Sequence, residues 1–546
     1  MTPIEIRENE IRFKTKRETA NRLGAKYISN ETYKLPRTLE AITDLMRFTK
    51  DPALAGLKEK LERQKGIILK PKLMEDIDLP GYEQLRPYQR VDVAFLAQLP
   101  HAALFNQQRT GKSVELLSLF RYKGFKKMML VVPSGLKLNW EKECKIWLPG
   151  IKAIVIKGGP KQREKTYQTV SKQKEFIVII SYDTVKQAGE LDRIITTIGK
   201  GSLDGLAIDE AHNIRNRKSQ RTKAIHKLGK YARHRYVLTG TPSVKAGYDV
   251  WSLLHFLYPE KFRSYWDFLE RYFVMKKHIF AGSKQPTGEY LRKEELENLL
   301  AMIGTNRKRR EVMKWLPNKQ YTVIPIELTP KQRKVYQDVA ETFEHMDDDG
   351  ELKIDAPSVL AQMTRLRQVC LSPSMLDVQA PSAKEEFILE WLQDNQEPVI
   401  IFSMFTSYLE ELKNTLEDKL KEKVVRINGK MSTREKQKSV EQFQSGKARI
   451  LLANIEAAGT GFTLDKAQTT IFLDKHWNPS SNIQAEDRMV PISEERVHKM
   501  DVISLVAKDT YDEIIDALLA HKHNIAEVIN RGGVTALKRI YKDIYK

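Results

Sequence analysis

A chain of 546 residues is too long for one hydrophobic core, and its 41% hydrophobic and 30% charged residues exclude a disordered chain, so three or four domains are expected. The 92 Lys+Arg against 71 Asp+Glu leave a formal charge of +21, an excess suited to a polyanionic partner, because neutralised phosphates release condensed counterions. Two cysteines, Cys144 and Cys370, exclude a disulfide framework and a four-thiolate zinc site. No apolar run reaches the length of a membrane span, and Glu5, Arg7, Glu8 and Glu10 leave no room for a signal-peptide core, so a soluble cytoplasmic protein is expected.

Residues 1–80 read as a small first domain. Between Arg12 and Arg37 eight basic residues (Arg12, Lys14, Lys16, Arg17, Arg22, Lys26, Lys34, Arg37) stand against Glu18 and Glu31, with Phe13, Tyr27 and Tyr33 interleaved. That mixture suits a surface that meets phosphates and stacks bases, and equally a domain whose rings form its own core. Over 81–258 short β-rich runs alternate with helical stretches: Ala102–Phe105, Lys127–Val132, Phe176–Ile180, Leu206–Ile208 and Tyr236–Leu238. Such alternation predicts a parallel sheet covered by helices, with ligands at the carboxyl ends of its strands. Residues 259–380 read as helical and charged without comparable strands, with an exposed loop at Asp347-Asp348-Asp349-Gly350. Alternation resumes over 381–510, at Pro398–Phe402, Val424–Ile427, Ile450–Ala453, Thr470–Leu473 and Asp501–Leu505, and 511–546 reads as helix. The fold class is therefore α/β, with two parallel sheets, helical insertions and a small N-terminal domain.

Two strand ends carry the chemistry. Thr110-Gly111-Lys112-Ser113 follows the first strand of the first sheet; such a turn cradles nucleotide phosphates with backbone N–H groups and a lysine, while the serine hydroxyl can ligand Mg²⁺. Asp209-Glu210-Ala211-His212 follows Leu206-Ala207-Ile208 and supplies one carboxylate for the metal and one to activate water. Together they point to ATP hydrolysis.

Other segments then become legible in order: Leu85-Arg86-Pro87-Tyr88-Gln89-Arg90, Val131-Val132-Pro133-Ser134, Leu138-Asn139-Trp140-Glu141, Ile180-Ser181-Tyr182-Asp183-Thr184, Leu238-Thr239-Gly240-Thr241-Pro242, Arg365-Leu366-Arg367-Gln368-Val369-Cys370, Ala457-Ala458-Gly459-Thr460-Gly461, Trp477-Asn478-Pro479 and Gln484-Ala485-Glu486-Asp487-Arg488. The series, from about Leu85 to about Lys508, resembles the superfamily 2 helicase-like ATPases of the Swi/Snf branch, translocases on double-stranded DNA. The resemblance implies two RecA-like lobes with ATP between them. By it, Gln89 would read the adenine edge; Thr110, Gly111, Lys112 and Ser113 would hold phosphates and, with Asp209, Mg²⁺. Glu210 would activate water, while His212, Thr239 and Thr241 would couple nucleotide state to movement. Gly459, Gly461, Gln484 and Arg488 would serve from the second lobe. Pro133, Ser134, Ser181, Tyr182 and Thr460 would grip DNA backbone through amides and hydroxyls, with little sequence specificity.

The chain also departs from the family pattern. Arg109 replaces the glycine usual two places before Gly111, and Asn106 stands where a general phosphate loop starts with glycine. After Arg488 the family continues to a second arginine three places on, whereas this chain has Met489-Val490-Pro491. An arginine finger is worth about 10³ to 10⁵ in rate, so Arg488 would have to serve alone or with Arg496. In the first domain, Phe13, Gly24-Ala25-Lys26-Tyr27 and Tyr33-Lys34-Leu35-Pro36 resemble the HARP module of annealing helicases, which places Lys26 and Tyr27 on branched DNA. The expected function is an ATP-dependent translocase on duplex or branched DNA in replication, recombination or repair, of bacterial or bacteriophage origin. The rival readings are an ATP-binding DNA clamp and an RNA helicase.

Overall fold

In the computed structural model the described residues are 2–6, 10–23, 25–36, 39–46, 49, 51–58, 82–199, 203–240, 247–277, 284–348, 356–458, 462–491, 493–497 and 499–521, with 525, 528 and 539. They form two compact units, Met1–Val312 and Met313–Lys546. Among them no helix is long and apolar enough to cross a membrane.

The first unit opens with four short strands, β1 (Thr2–Ile6), β2 (Glu10–Lys14), β3 (Lys26–Ser29) and β4 (Thr32–Pro36), in an antiparallel sheet of order β1-β2-β4-β3. Period-two alternation divides its faces. Ile11, Phe13, Tyr33 and Leu35 point into a small core with Ile42, Leu45 and Leu54. On the other face Arg12 lies opposite Lys34, and Lys34 opposite Lys26, a cationic row across three strands. The two readings of the rings are thus divided: Phe13 and Tyr33 are core, while Tyr27 is 64% exposed.

The main sheet of this unit contains β5 (His101–Leu104), β6 (Lys127–Val132), β7 (Ala153–Val155), β8 (Phe176–Ser181), β9 (Leu203–Ile208) and β10 (Ala232–Leu238). Beyond a two-stranded hairpin, β11 (Phe273–Lys277) with β12 (Lys284–Tyr290), the pair Gly304–Thr305 forms β13 and joins the edge. The order is β13-β5-β10-β9-β6-β8-β7, parallel throughout. The central strands β6 and β8 are nearly continuous apolar runs, and every residue of β8 is buried.

The second unit has one six-stranded parallel sheet: β14 (Gln320–Ile326), β15 (Val399–Ser403), β16 (Val424–Ile427), β17 (Ile450–Asn454), β18 (Thr469–Phe472) and β19 (Asp501–Ala507), in the order β14-β19-β18-β15-β17-β16. The two parallel sheets bear out the expected α/β architecture. Residues 259–380, expected to lack strands, instead contribute β11, β12, β13 and β14, the last two as edge strands of the two parallel sheets. Asp347 and Asp348, expected in a loop, end the helix Pro330–Asp348, and the rest of that loop lies outside the described residues. Of the C-terminal tail, Tyr511–Ala520 is helix.

Beneath this second sheet lies a cluster of buried charges. Lys384 Nζ donates to Asp512 Oδ2 and to the Leu473 carbonyl, both at 2.7 Å. Arg367, 1% exposed, sits 3.5 Å from Asp474 and stacks over Trp477 at 4.5 Å. Removing one partner of such a pair strands the other charge in the interior. Lys384→Met is therefore expected to lower unfolding stability by about 3–5 kcal/mol, and Lys384→Met with Asp512→Leu to recover part of it. Urea unfolding of the two variants checks this; equal losses in both would show that the pair is not the source.

Candidate active site

The loop after β5 is shaped by two left-handed residues, Arg109 (φ 70°) and Gly111 (φ 89°). The backbone at Gly111 favours glycine, and a Cβ there would lie 2.2 Å from Gln89 Nε2 and displace that amide. Arg109 adopts the conformation that a glycine would take more cheaply, at a strain of about 1–2 kcal/mol. Tyr88 Oη and Gln89 Nε2 both donate to the Thr110 carbonyl, at 2.6 and 3.0 Å. Burial, then the nearby Glu115, pushes the Tyr88 phenol up to about 12, so it remains a donor. Gln89 Oε1 accepts from Arg86 N–H at 2.9 Å, which commits both ends of the amide expected at the adenine edge to the protein.

The helix Lys112–Tyr122 starts directly after Gly111, and its first residues are the lysine and Ser113. Lys112 Nζ donates back to the carbonyls of Asn106 (2.7 Å) and Gln107 (3.2 Å). Asn106 itself is fully buried; its amide donates to Asp92 Oδ2 (2.8 Å) and Glu115 Oε2 (2.9 Å), and its oxygen accepts Arg307 N–H (2.9 Å). Arg307 closes the cluster with two bonds to Asp92 Oδ1, at 2.6 and 2.9 Å. Burial raises both carboxyls, Glu115 furthest, while Arg307 opposes the shift at Asp92.

Because β5, β10 and β9 are adjacent, their carboxyl ends bring three motifs together. Thr239, fully buried after β10, donates its N–H to the Leu104 carbonyl, and Gly240 runs close enough to Gln108 that a Cβ would stand 3.2 Å from the Gln108 nitrogen. After β9, Gln108 Nε2 reaches Glu210 Oε1 at 3.3 Å, and His212 Nδ1 lies 3.2 Å from Glu210 Oε2. Asp209 Oδ2 accepts from the Trp140 indole at 2.8 Å, and its Oδ1 from Glu210 N–H at 2.8 Å. Desolvation, then the Glu210 charge, pushes the Asp209 carboxyl up to about 6 despite those donors. Glu210 is held in left-handed backbone at φ 47°. Thr241 lies outside the described residues, as do Gly459, Thr460 and Gly461.

A hydroxyl at Ser113 and a carboxylate at Asp209 are hard oxygen donors suited to Mg²⁺. Among the described residues there is no group of three or more His, Cys, Asp or Glu side chains placed to hold a metal. An ion here would draw its remaining ligands from phosphates and water, as Mg²⁺ prefers.

The turns expected on DNA behave unequally. Ser134 is exposed and Pro133 half-buried. Ser181 is buried and caps the helix Tyr182–Val185 through Thr184 N–H, and Tyr182 Oη donates to the Asp209 carbonyl at 2.6 Å. Both hydroxyls are therefore spent inside the protein. In the first domain Lys26 Nζ binds Glu270 (3.2 Å) and Asp267 (3.7 Å) on the helix Tyr265–Tyr272, while the Tyr27 ring stays exposed.

In the second unit the helix Pro479–Glu486 carries a half-buried Gln484, and Arg488 follows in a short 3₁₀ turn, largely buried. Met489 and Val490 enter the core and Pro491 is buried, where the family has its second arginine. Sequence reasoning placed Trp140 only within a motif, without a contact, and gave no role to Gln108 or Arg307. The signal available for Trp140 was general: a buried indole N–H needs an acceptor.

The SNF2-related domain family matches residues 30–375 and the helicase conserved C-terminal domain residues 383–491. An ATP-dependent helicase of Mycoplasma pneumoniae is 27% identical over 467 residues, 81% of this chain and 42% of its own length. The human DNA annealing helicase and endonuclease ZRANB3 is 24% identical over 448 residues, 81% of this chain and 40% of its own. The chain spans about half the length of the curated relatives it matches. The SWI2/SNF2 ATPase core of Sulfolobus solfataricus, solved with double-stranded DNA, aligns at 24% identity and a TM-score of 0.39, covering 87% of this chain and 98% of that one. The SNF2-related match takes in more than half of the residues, and the chain belongs to the SNF2-related family.

Proposed function

We propose that the chain is a DNA-dependent ATPase that translocates on duplex or branched DNA, acting in replication, recombination or repair. The observation that carries the reading is the convergence of the phosphate loop, Asp209-Glu210 and Thr239-Gly240 at the ends of three adjacent strands, joined by the Gln108–Glu210 bond. Family membership and the excess of 21 positive charges support it.

In this reading the γ-phosphate draws Lys112 from the Asn106 and Gln107 carbonyls, and the N–H groups of Gly111, Lys112 and Ser113 meet the phosphate oxygens. Ser113 and Asp209 would hold Mg²⁺, which would supply neutralising charge to the phosphates. Glu210, steadied by Gln108 and His212, accepts a proton from the attacking water as the γ-phosphorus–oxygen bond to ADP breaks. Arg488 offsets charge on the transferring phosphoryl, and Gln484 orients its surroundings. Thr239 and Thr241 report the nucleotide state. Amides at Pro133–Ser134 and Ser181–Tyr182, with Thr460, meet DNA phosphates. Because Pro491 is buried where a second cation would stand, an ATP-binding clamp with little hydrolysis is the second reading.

ATP hydrolysis with and without duplex or forked DNA, in wild type beside Glu210→Gln, tests the choice. Stimulation in wild type and a loss of about 10²–10⁴-fold in the variant are expected, with Lys112→Ala also losing ATP binding. Negligible hydrolysis on every DNA, with ATP and DNA still bound, would replace the motor by the clamp. Trp140→Phe keeps the ring but deletes the donor to Asp209; half-maximal activity should then need about tenfold more Mg²⁺. An unchanged Mg²⁺ titration would reduce Trp140 to a packing residue.

The N-terminal sheet yields a separate test. Removing residues 1–80 should weaken binding to forked DNA more than basal ATPase if its cationic row meets DNA. Lys26→Ala, which breaks only exposed ion pairs worth about 0–1 kcal/mol, should leave fork affinity unchanged if Lys26 serves as a brace to the helix Tyr265–Tyr272. Fork affinity lost with Lys26 alone would return that residue to the DNA surface.

A further inference from the structure

In the turn Ser181–Thr184 the proposed function gives no part to Asp183. Asp183 points outward, half exposed, yet three donors from three segments converge on it. Ser134 Oγ donates to its Oδ2 at 3.3 Å, and Lys186 Nζ and Arg221 Nη2 donate to its Oδ1 at 2.8 and 3.0 Å. The hydrogen bond from Lys186, with Arg221 adding to it, holds this carboxyl below the usual carboxylate range, so it is an anion at neutral pH. A hydroxyl, an ammonium and a guanidinium around one oxyanion are what a phosphodiester would require, and the neighbouring amides of 133–134 and 181–182 are those assigned above to DNA backbone.

Arg221 also leads inward. Its other nitrogen, Nη1, donates to Asn213 Oδ1 at 2.8 Å, and Asn213 Nδ2 donates to the Glu210 carbonyl at 2.8 Å. Arg221 lies over the Tyr182 ring at 5.8 Å, and Tyr182 holds the Asp209 carbonyl. The cradle is thereby bonded to both carboxylate-bearing residues.

Resting on the DNA reading above, we propose that Asp183 is an internal stand-in for a DNA phosphate: it fills the cradle of Ser134, Lys186 and Arg221 in the free protein, and a backbone phosphate displaces it. Arg221 then trades a carboxylate for a phosphate and, through Asn213, changes the setting of Glu210. Exposed ion pairs contribute little to stability, so a phosphate can compete for these donors without unfolding anything.

The test is a double-mutant cycle in duplex affinity at fixed salt, using the full chain with Asp183→Asn, Arg221→Gln and both, beside Asp192→Asn as an exposed acid outside the cradle. Asp183→Asn should tighten binding severalfold and reduce the ratio of DNA-stimulated to DNA-free ATPase, with Asp192→Asn near wild type. Arg221→Gln should cost at least threefold more affinity in the Asp183→Asn background than in wild type, because only there is the guanidinium released from its carboxylate. Additive effects, or equal tightening by Asp192→Asn, would reduce Asp183 to one more negative charge and overturn the stand-in while the motor reading stands. No duplex binding by wild type would overturn both.

Discussion

Everything in the first unit's site depends on holding an irregular loop in one shape. Seven residues between β5 and the helix at Lys112 must aim N–H groups at one point, with two of them in left-handed backbone. Regular hydrogen bonding cannot hold such a segment, and the structure uses a buried side chain. The Asn106 amide stands between Asp92 and Glu115, so neither carboxyl meets the other without a donor, and Arg307 brings the compensating charge. The same segment hydrogen-bonds through backbone, Phe105 N–H to the Thr305 carbonyl and Gln107 N–H to the Arg307 carbonyl. A glycine at 106 would satisfy none of these groups, and a buried polar atom without a partner costs about 1–3 kcal/mol. The departure from the general phosphate loop at Asn106 is therefore the anchor of this one. It also ties the loop to residues that lie just before Val312, where the first compact unit ends.

The order of motifs and the buried strands were legible because both are local. Lys127–Val132 and Val424–Ile427 match the observed strands at both ends, being apolar runs bounded by turns. Ile11 and Phe13 alternate with Arg12 and Lys14 along β2, a two-faced strand that the reading of residues 1–80 as a basic domain did not name. The edge strands missed in 259–380 lack that signal. Gly304–Thr305 is too short for any period, and Gln320–Ile326 is exposed at four of its first positions and carries a proline, tolerated because the strand is an edge. The site contacts were hidden for a different reason. Trp140 meets Asp209 from 69 positions away, and Arg307 meets Asp92 from 215, distances over which no pattern in one sequence runs. Lys26 shows the limit on chemistry: a lysine beside a tyrosine suits phosphate, but tertiary packing brought Asp267 and Glu270 to it.

The second unit answers the missing arginine in packing terms. Met489 and Val490 are fully buried in the core below the sheet, so the chain after Arg488 turns inward. Lys319 meets Glu486 at 3.2 Å and Asp487 at 2.6 Å, one ammonium shared by the two acids immediately before Arg488.

The placement of ion pairs follows from what each must do. Lys384–Asp512 and Arg307–Asp92 involve a fully buried partner, and breaking such a pair costs about 3–5 kcal/mol, more than binding one phosphate can offset. They fix geometry and cannot switch. Asp183, with half its side chain in solvent, sits at the other limit, where an exchange of partners costs about 0–1 kcal/mol. A site that must respond to DNA has to keep its exchangeable pair at the surface and its permanent pair in the interior. Arg221 joins the two regimes, with one nitrogen on the exposed carboxylate and the other on Asn213 beside Glu210. A shift of its guanidinium is then passed through Asn213 to the Glu210 backbone, which sits in the left-handed region at φ 47°.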